Sequence, residues 1–179
     1  GDEVEMPSCI DMSLKLAVQT ITDIGLRIGN INFVQGNIPN IVVAQQKGGK
    51  AIRKSTKVKR GDVIDLVVEM TESQTTTNMP DILGKTEDEA ERLLWAAGLN
   101  VGKKEFEGKK DKDHSRVVSY QPTFQGLTLG TTISLYFVND TKNNYKKLKR
   151  DFEEQLILDQ NQYEEWTDVE DGGNNVVEI

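Results

Sequence analysis

The sequence predicts an α+β protein of two tandem small modules, each with one helix packed on a three-stranded, mostly antiparallel sheet, followed by a C-terminal helix. The first observation is an internal repeat, because residues 6–29 align without a gap onto residues 79–102 and both segments end in Gly-Leu-x-hydrophobic-Gly. The second is that each copy continues into a Val-Val-x-x-Gln segment and an alternating apolar strand. The third is helical spacing of apolar residues after the second copy.

Length and charge agree with small modules. A chain of 179 residues can hold two units of roughly 70 residues, whose thin cores leave little room for a large buried active site. The net charge is −7, and residues 141–179 contribute ten acidic against five basic side chains. Nucleic-acid binding is disfavoured, because its affinity comes mainly from cations that neutralise phosphates.

One helix is predicted in each copy, over about 14–24 and 87–97. Ser13 and Thr86 are the expected N-caps, and Thr86 with Glu89 has the spacing of a capping box. Gly25 and Gly98 follow the helices as terminating residues. The inward-facing positions are expected to be Leu14, Ala17, Val18, Ile21 and Ile24 in the first helix, and Ala90, Leu93, Leu94 and Ala97 in the second.

Three strands are predicted after each helix, and they set the domain boundaries. The ranges are 26–33, 42–46 and 61–68 in the first copy, and 99–106, 117–121 and 130–137 in the second. We therefore expect domain 1 over 1–70, an extended polar linker over 71–77 and domain 2 over 78–139. The two domains are expected to behave as separate units with matching cores, in which Cys9 corresponds to Ile82.

The tail, residues 140–179, is predicted to be a helix followed by an irregular acidic segment. The helix is expected over about 142–161, and the composition past Trp166 favours irregular structure. A helix of about 20 residues is marginal in water by itself. The predicted stripe is therefore expected to pack against the second repeat or a second chain, and consists of Tyr145, Leu148, Phe152 and Leu156.

No catalytic, metal or cofactor pattern is found in the sequence. No serine has a lysine three residues later, and His114 is the only histidine, so neither a transpeptidase motif nor a histidine triad is present. The Gly84-Lys85-Thr86 sequence lacks the upstream glycine of a phosphate-binding loop. We expect no enzymatic activity and no cofactor, and we interpret Cys9 as a core residue.

Three surfaces are candidates for ligand binding. Trp95 lies one position off the predicted inward face of its helix, and packing against the linker or tail is the alternative to a ligand platform. Arg116 and Tyr120 share one face of a predicted strand, where core or edge packing is the alternative for Tyr120. The stretch 47–60 holds seven Lys or Arg and no acid, and is either a solvated hairpin or a site for anionic polymers or lipid headgroups.

Each copy resembles a PASTA domain, a small module of penicillin-binding proteins and bacterial serine/threonine kinases. The resemblance covers about 4–68 and 78–138, and depends on the opening prolines, the glycine-bounded helices and the closing strands that start at Gly61 and Gly130. The chain departs from the family pattern at Tyr120, where a Gln is usual, and at Lys47, where a proline is usual. The tail after Asn139 lies outside the resemblance.

This resemblance implies a non-enzymatic, extracytoplasmic binding module of a bacterial envelope protein. The implied partners are peptidoglycan fragments, bound weakly, or envelope proteins, with Trp95, Arg116 and Tyr120 as the candidate contacts. A membrane tether is expected upstream, and the tail helix leaves a homo-oligomer open. The alternatives are an assembly protein that docks through the tail helix, or the sensor part of a receptor serine/threonine kinase.

Overall fold

The computed structural model describes the backbone of residues 2–178 and the burial and side-chain contacts of residues 2–162. The elements of the first repeat are β1 (Glu3–Glu5), α1 (Leu14–Asp23), β2 (Arg27–Gln35), β3 (Val42–Lys47), β4 (Lys50–Ala51), β5 (Lys57–Lys59) and β6 (Val63–Met70). Those of the second are β7 (Thr76–Thr77), α2 (Glu87–Ala96), β8 (Asn100–Glu107), β9 (Ser115–Gln121), β10 (Leu127–Thr128) and β11 (Thr132–Asn139). The tail forms α3 (Tyr145–Glu178).

The predicted α+β class is confirmed, but the sheets are mixed rather than mostly antiparallel. In both repeats the closing strand lies between the other two long strands, in the orders β2-β6-β3-β4 and β8-β11-β9. It pairs parallel with the first strand and antiparallel with the second. The first sheet has four strands instead of three, because β4 extends it.

The repeat begins earlier than the sequence predicts. β1 pairs with β5 in the first copy, and the equivalent β7 pairs with β10 in the second. Thr76 and Thr77 were expected in the linker, yet they form this strand of the second module. The free connection between the modules is therefore shorter than 71–77.

The predicted helix caps are confirmed. The Ser13 hydroxyl accepts a hydrogen bond from the Leu16 amide at 3.2 Å. Thr86 and Glu89 form a reciprocal capping box, in which the Thr86 amide donates to Glu89 Oε1 at 3.0 Å. Gly25 follows α1 with φ +90° and Gly98 follows α2 with φ +81°, the left-handed conformation that ends a helix at little cost only for glycine.

A bulge recurs in the first long strand of each repeat. In β2 the parallel register shifts between Ile28 and Ile31. In β8 it shifts between Val101 and Lys104, which pair with Ile133 and Leu135. The glycine in each bulge is required by close approach of the neighbouring strand. A Cβ on Gly29 would meet Asp65 and Val63 within 2.6 Å, and one on Gly102 would lie 2.5 Å from Thr132 Cγ2. The shared Gly-Leu-x-hydrophobic-Gly sequence thus encodes a shared bulge.

Each module has its own core, with Cys9 and Ile82 at equivalent buried positions as predicted. The inward face of α1 is also as predicted, apart from Ile24, which is only half-buried. On α2 the expectation for Leu93 is wrong, since its side chain is 38% exposed. The buried residues there are Ala90, Glu91, Leu94 and Trp95, because this helix contacts the first module as well as its own sheet.

The two modules are not separate units. Trp95 of α2 belongs to the hydrophobic core cluster of the first module. Arg27 Nη2 donates to both carboxylate oxygens of Glu91, at 2.8 and 2.9 Å. The side chain of Asn100 pairs with the backbone of Ile31, accepting from its amide at 2.8 Å and donating to its carbonyl at 3.0 Å. Because β2 is an edge strand of its sheet, the side-chain amide of Asn100 satisfies backbone groups that have no partner strand on that side.

The tail helix packs against β9 of the second module. Tyr145, Leu148, Phe152 and Leu156 are half-buried, which confirms the predicted apolar stripe for packing on the second repeat. The prediction of irregular structure past Trp166 is wrong for the backbone, since α3 continues to Glu178. The helix is longer than predicted because a helix already anchored over its first turns adds further turns at small cost per residue, even across Gly172 and Gly173.

Prediction for the module interface. Trp95→Ala is expected to lower the free energy of unfolding by about 3–5 kcal/mol, because it empties a site in the first module's core. Leu93→Ala, two residues away on the exposed side of α2, is the matched control and should cost less than about 1 kcal/mol. Urea denaturation followed by circular dichroism measures both. Equal losses in the two variants would contradict the interface.

Candidate functional site

The structure does not place Trp95 on a ligand-binding surface. Its side chain is only 3% exposed and lies between the modules, so the prediction of an exposed stacking platform is wrong. The physical reason is that α2 faces the first module on this side. Trp95 Nε1 has no hydrogen-bond partner among the described residues, as is tolerated when the apolar area of the ring dominates its burial.

Arg116 is occupied by contacts within the protein. Its Nε donates to Asp140 Oδ2 at 2.9 Å, and its Nη1 donates to the carbonyl of Gly84 at 2.9 Å. His114 Nδ1 lies 2.9 Å from the other oxygen of Asp140. Arg116 therefore joins the start of the second repeat to the residues that precede α3, and a ligand carboxylate would have to displace these bonds.

Tyr120 is the predicted contact that lies on an open surface. Its ring meets Phe152 of α3 edge to face, with centroids 4.9 Å apart and planes at 73°. Burial raises the pKa of the Tyr120 hydroxyl above its ordinary value of 10, which already leaves the group protonated and able to donate a hydrogen bond near neutral pH. Tyr120 and Arg116 are four residues apart on β9, roughly 13 Å in an extended strand, so the two do not form one compact site.

A groove lies beside Tyr120, between the outer face of the second sheet and α3. Its volume is about 1060 Å³. Aromatic rings line one part of it, from Tyr120, Phe124, Tyr136 and Phe152. Phe124 is 64% exposed, so much of its ring is accessible to a ligand.

Apart from Pro122 and Leu135, the remaining lining of the groove is polar. Ser119, Thr132 and Ser134 present hydroxyl groups, and Lys103 forms an ion pair with Glu105 at 2.8 Å. Rings beside hydroxyls fit a ligand that has both apolar C–H faces and many polar groups. The single histidine lies at the other end of β9, paired with Asp140, so the groove serines have no imidazole base.

The aromatic side of the groove is held in place by contacts around Glu107 at the end of β8. The Tyr136 hydroxyl donates to Glu107 Oε2 at 3.1 Å. Asn144, just before α3, donates to both oxygens of the same carboxylate at 3.2 and 3.3 Å. Burial, and then the hydrogen bond to Glu107, raises the pKa of Tyr136. Glu107 therefore connects the sheet to the start of the helix that forms the other wall.

The basic stretch 47–60 lies in the first module, in the β3–β4 hairpin and β5. Its seven cationic side chains are all exposed, and Lys47 pairs with Asp62 at 3.1 Å.

Cys9 is fully buried in the core of the first module. Burial raises the pKa of its thiol to about 11, which agrees with the interpretation of Cys9 as a core residue.

Sequence reasoning missed Phe152 as the partner of Tyr120, and Glu91 and Asn100 as buried polar groups. For Glu91 and Asn100, the alignment of the two copies contained a signal. Glu91 aligns with Val18 and Asn100 with Arg27, so both positions break the match between the copies. No comparable signal linked Phe152 to Tyr120, because the tail has no counterpart in the repeat.

Comparison with known proteins supports the resemblance seen in the sequence. No protein-family model matches the chain. A probable serine/threonine-protein kinase of Clostridium perfringens is 23% identical over 145 residues, which cover 77% of this chain and 21% of the kinase. The two repeats are similar to PASTA domains. The chain thus spans about a fifth of the length of this kinase relative.

Solved structures of PASTA-containing regions are among the similar chains. The three PASTA domains of a Ser/Thr kinase from Staphylococcus aureus match with 23% identity and a TM-score of 0.34, over 76% of this chain and 66% of that one. The entire extracellular region of the Ser/Thr kinase PrkC from Staphylococcus aureus matches with 22% identity and a TM-score of 0.33, over 77% and 47%.

Within the described residues, no helix is both long enough and apolar enough to cross a bilayer. The same part of the chain contains no group of three or more His, Cys, Asp or Glu side chains arranged to hold a metal ion.

Prediction for the groove wall. Phe152→Ala is expected to lower the free energy of unfolding by about 1–3 kcal/mol, less than a full core deletion because the ring is half-buried. Ile157→Ala, on the same helix but 61% exposed, is the control and should change stability by less than about 0.5 kcal/mol. Thermal unfolding measures both, and hydrogen exchange should show faster opening of α3 in Phe152→Ala. Unchanged exchange would contradict the packing of α3 on β9.

Prediction for the His114 and Asp140 pair. The hydrogen bond to Asp140, followed by its charge, raises the pKa of His114 above its ordinary 6.5. Because the folded pKa is raised, the contribution to stability is complete below about pH 6.5 and is lost as the pH rises through the folded pKa. His114→Gln should therefore be destabilising near pH 5.5 and neutral near pH 9.

The pKa itself is measured by NMR of the single imidazole. It should lie above 6.5 in the wild type and fall in Asp140→Asn. Asp113→Asn is the control, since Asp113 acts on His114 only through a weaker charge interaction and should shift the pKa less. Titration of His114 at or below its ordinary value would exclude the ion pair in solution.

Proposed function

We propose that this chain is a non-enzymatic, extracytoplasmic binding module of a bacterial cell-envelope protein, and that it binds peptidoglycan fragments weakly in the groove of the second module. The observation that carries this proposal is the combination of Tyr120, the exposed ring of Phe124 and the hydroxyl groups in one open groove. The similarity of both repeats to PASTA domains supports the setting. A tether upstream of the chain is part of the proposal.

The chemistry of the groove suits a sugar-peptide ligand. The C–H face of a sugar ring stacks on Phe124, while ring hydroxyls and amides exchange hydrogen bonds with Ser119, Ser134 and the neutral Tyr120 hydroxyl. Lys103 offers a cation for a stem-peptide carboxylate, in place of its exposed pair with Glu105. Arg116, which sequence reasoning assigned to that role, is held by Asp140.

The affinity is expected to be micromolar or poorer. The groove is open, and a flexible sugar-peptide loses conformational freedom when it is ordered, which offsets much of the contact energy. Exposed ion pairs such as Lys103 with Glu105 add little net free energy. Weak, reversible binding is suited to a module that samples a polymer present at high local concentration.

A second candidate function is protein docking through α3. The observation in its favour is that Ile157 and Leu158 are 61% and 55% exposed, just past the part of the helix that packs on β9. Such residues would contact an envelope protein or a second copy of this chain. The kinase relative supports a related proposal, that the chain is the sensor part of a receptor serine/threonine kinase.

Prediction for ligand binding. Titration of the ¹⁵N-labelled chain with purified muropeptides should shift amide resonances of 119–124 and 132–136, with saturation in the high micromolar to millimolar range. Phe124→Ala should weaken binding about three- to tenfold, which corresponds to about 0.7–1.4 kcal/mol of lost stacking. Its exposure means that the fold should be unaffected.

The matched control is Ile38→Ala in the first module, a 56% exposed apolar residue outside the groove, which should leave the affinity unchanged. Absence of shifts at millimolar muropeptide would reject the peptidoglycan proposal. Loss of self-association or partner capture in a Leu158→Ala variant would then favour the docking function.

A further inference from the structure

We propose that the basic hairpin of the first module, defined as residues 47–60, docks this protein on the surface of an anionic lipid bilayer. The inference depends on the proposed extracytoplasmic, tethered setting for its biological meaning, but it involves neither the groove nor its ligand. Vesicle binding and muropeptide binding can therefore fail independently of one another.

The basic hairpin is an addition to the first copy. Fourteen residues separate Gln46 from Gly61, whereas eight separate Gln121 from Gly130 at the equivalent place in the second copy. The longer segment contains seven Lys or Arg and no acid, and the shorter one contains no charged residue. The three strands that both sheets share do not need these charges, because the second module forms them without a basic segment.

The backbone of the basic hairpin is held rigidly. The buried side chain of Gln45 accepts from the Cys9 amide at 2.7 Å and donates to the carbonyls of Pro7 and Ile52 at 3.0 and 2.9 Å. Met6 exchanges backbone hydrogen bonds with Ser55 and Thr56, each at 2.8 Å. The cations are thus presented on an ordered scaffold. Binding therefore costs less conformational entropy than it would for a flexible basic tail.

Most of the positive charge of the hairpin is not neutralised within the described residues. All seven cationic side chains are exposed, and Lys47 has an ion pair with Asp62. In β1, Glu3 and Glu5 are register partners of Lys59 and Lys57. The other four cations, Lys50, Arg53, Lys54 and Arg60, have neither an ion pair nor an acidic register partner in this part of the structure.

The distribution of charge favours one orientation at an anionic surface. The whole chain carries −7, and residues 141–179 alone carry ten acids against five bases. At physiological salt the screening length is about 8 Å, so a bilayer acts mainly on the charges nearest to it, and contact through the hairpin is favoured over contact through the acidic helix. The hairpin would face the bilayer, with the acidic helix directed elsewhere.

The chain also enters the fold at this surface. The Arg60 amide donates to the carbonyl of Asp2 at 2.6 Å, and β1 pairs with β5 of the hairpin. The proposed upstream tether would therefore emerge beside the cations. Such tethering converts a weak attraction into an intramolecular contact at high effective concentration.

The composition of the hairpin favours a diffuse anionic surface over a nucleic acid or a glycan. The hairpin contains no aromatic residue that could stack on bases or sugars.

The test is co-sedimentation of the full chain with lipid vesicles. Binding is expected to vesicles of phosphatidylcholine with about 30% phosphatidylglycerol in about 50 mM salt, to be absent from pure phosphatidylcholine, and to be lost in about 500 mM salt. Each cation near such a surface contributes roughly a fivefold gain in partition. Combined Lys50→Gln, Arg53→Gln and Lys54→Gln should thus lower the partition coefficient about 100-fold.

The matched control removes three exposed lysines outside the first module, two from the second module and one from the segment before α3, through combined Lys109→Gln, Lys112→Gln and Lys142→Gln, and should change partition by less than about threefold. Circular dichroism verifies that both triple variants are folded. No binding to anionic vesicles, equal losses in the two triple variants, or equal binding to neutral vesicles would each overturn the proposal. Binding of soluble polyphosphate without vesicle binding would overturn it in favour of a soluble polyanion.

Discussion

The arrangement of the two modules depends on one buried carboxylate. Glu91 is only 5% exposed, and a carboxylate at such a site must be paired or it destabilises the fold. Arg27 from the first module and Lys104 from its own module provide the pairing, with nitrogen to oxygen distances of 2.8 and 3.1 Å. Rotation of one module against the other would separate Glu91 from Arg27. The ion pair therefore favours one orientation, while Trp95 supplies the apolar area.

The same interface explains where the copies diverge. Two modules joined head to tail meet through different faces, so the repeat cannot keep identical residues there. Val18, Thr22 and Arg27 of the first copy align with Glu91, Trp95 and Asn100 of the second. Core positions such as Ala17 and Ala90 face the same surroundings in both modules and stay alike.

A second divergence determines what each module can offer to a ligand. Gln45 and Tyr120 occupy equivalent positions on their strands. The amide of Gln45 is used inside the first module to hold the basic hairpin, whereas Tyr120 points to the tail helix and one wall of the groove. One fold thus carries two unlike surfaces, a cationic hairpin and an aromatic groove. The two surfaces differ because the loops and the tail differ between the modules, whereas the long strands of the sheets are shared.

The sequence by itself determined the repeat, both helices with their caps, the six long strands, the apolar stripe of the tail and the absence of a catalytic motif. These follow from local patterns, such as Thr86 with Glu89, that act within a few residues. Only the tertiary structure decided the parallel pairing of the closing strand, the burial of Trp95 and Glu91, and the groove between Tyr120 and Phe152. Each of these joins segments distant in the chain, and periodicity shows which face of a helix is apolar but not which surface covers it.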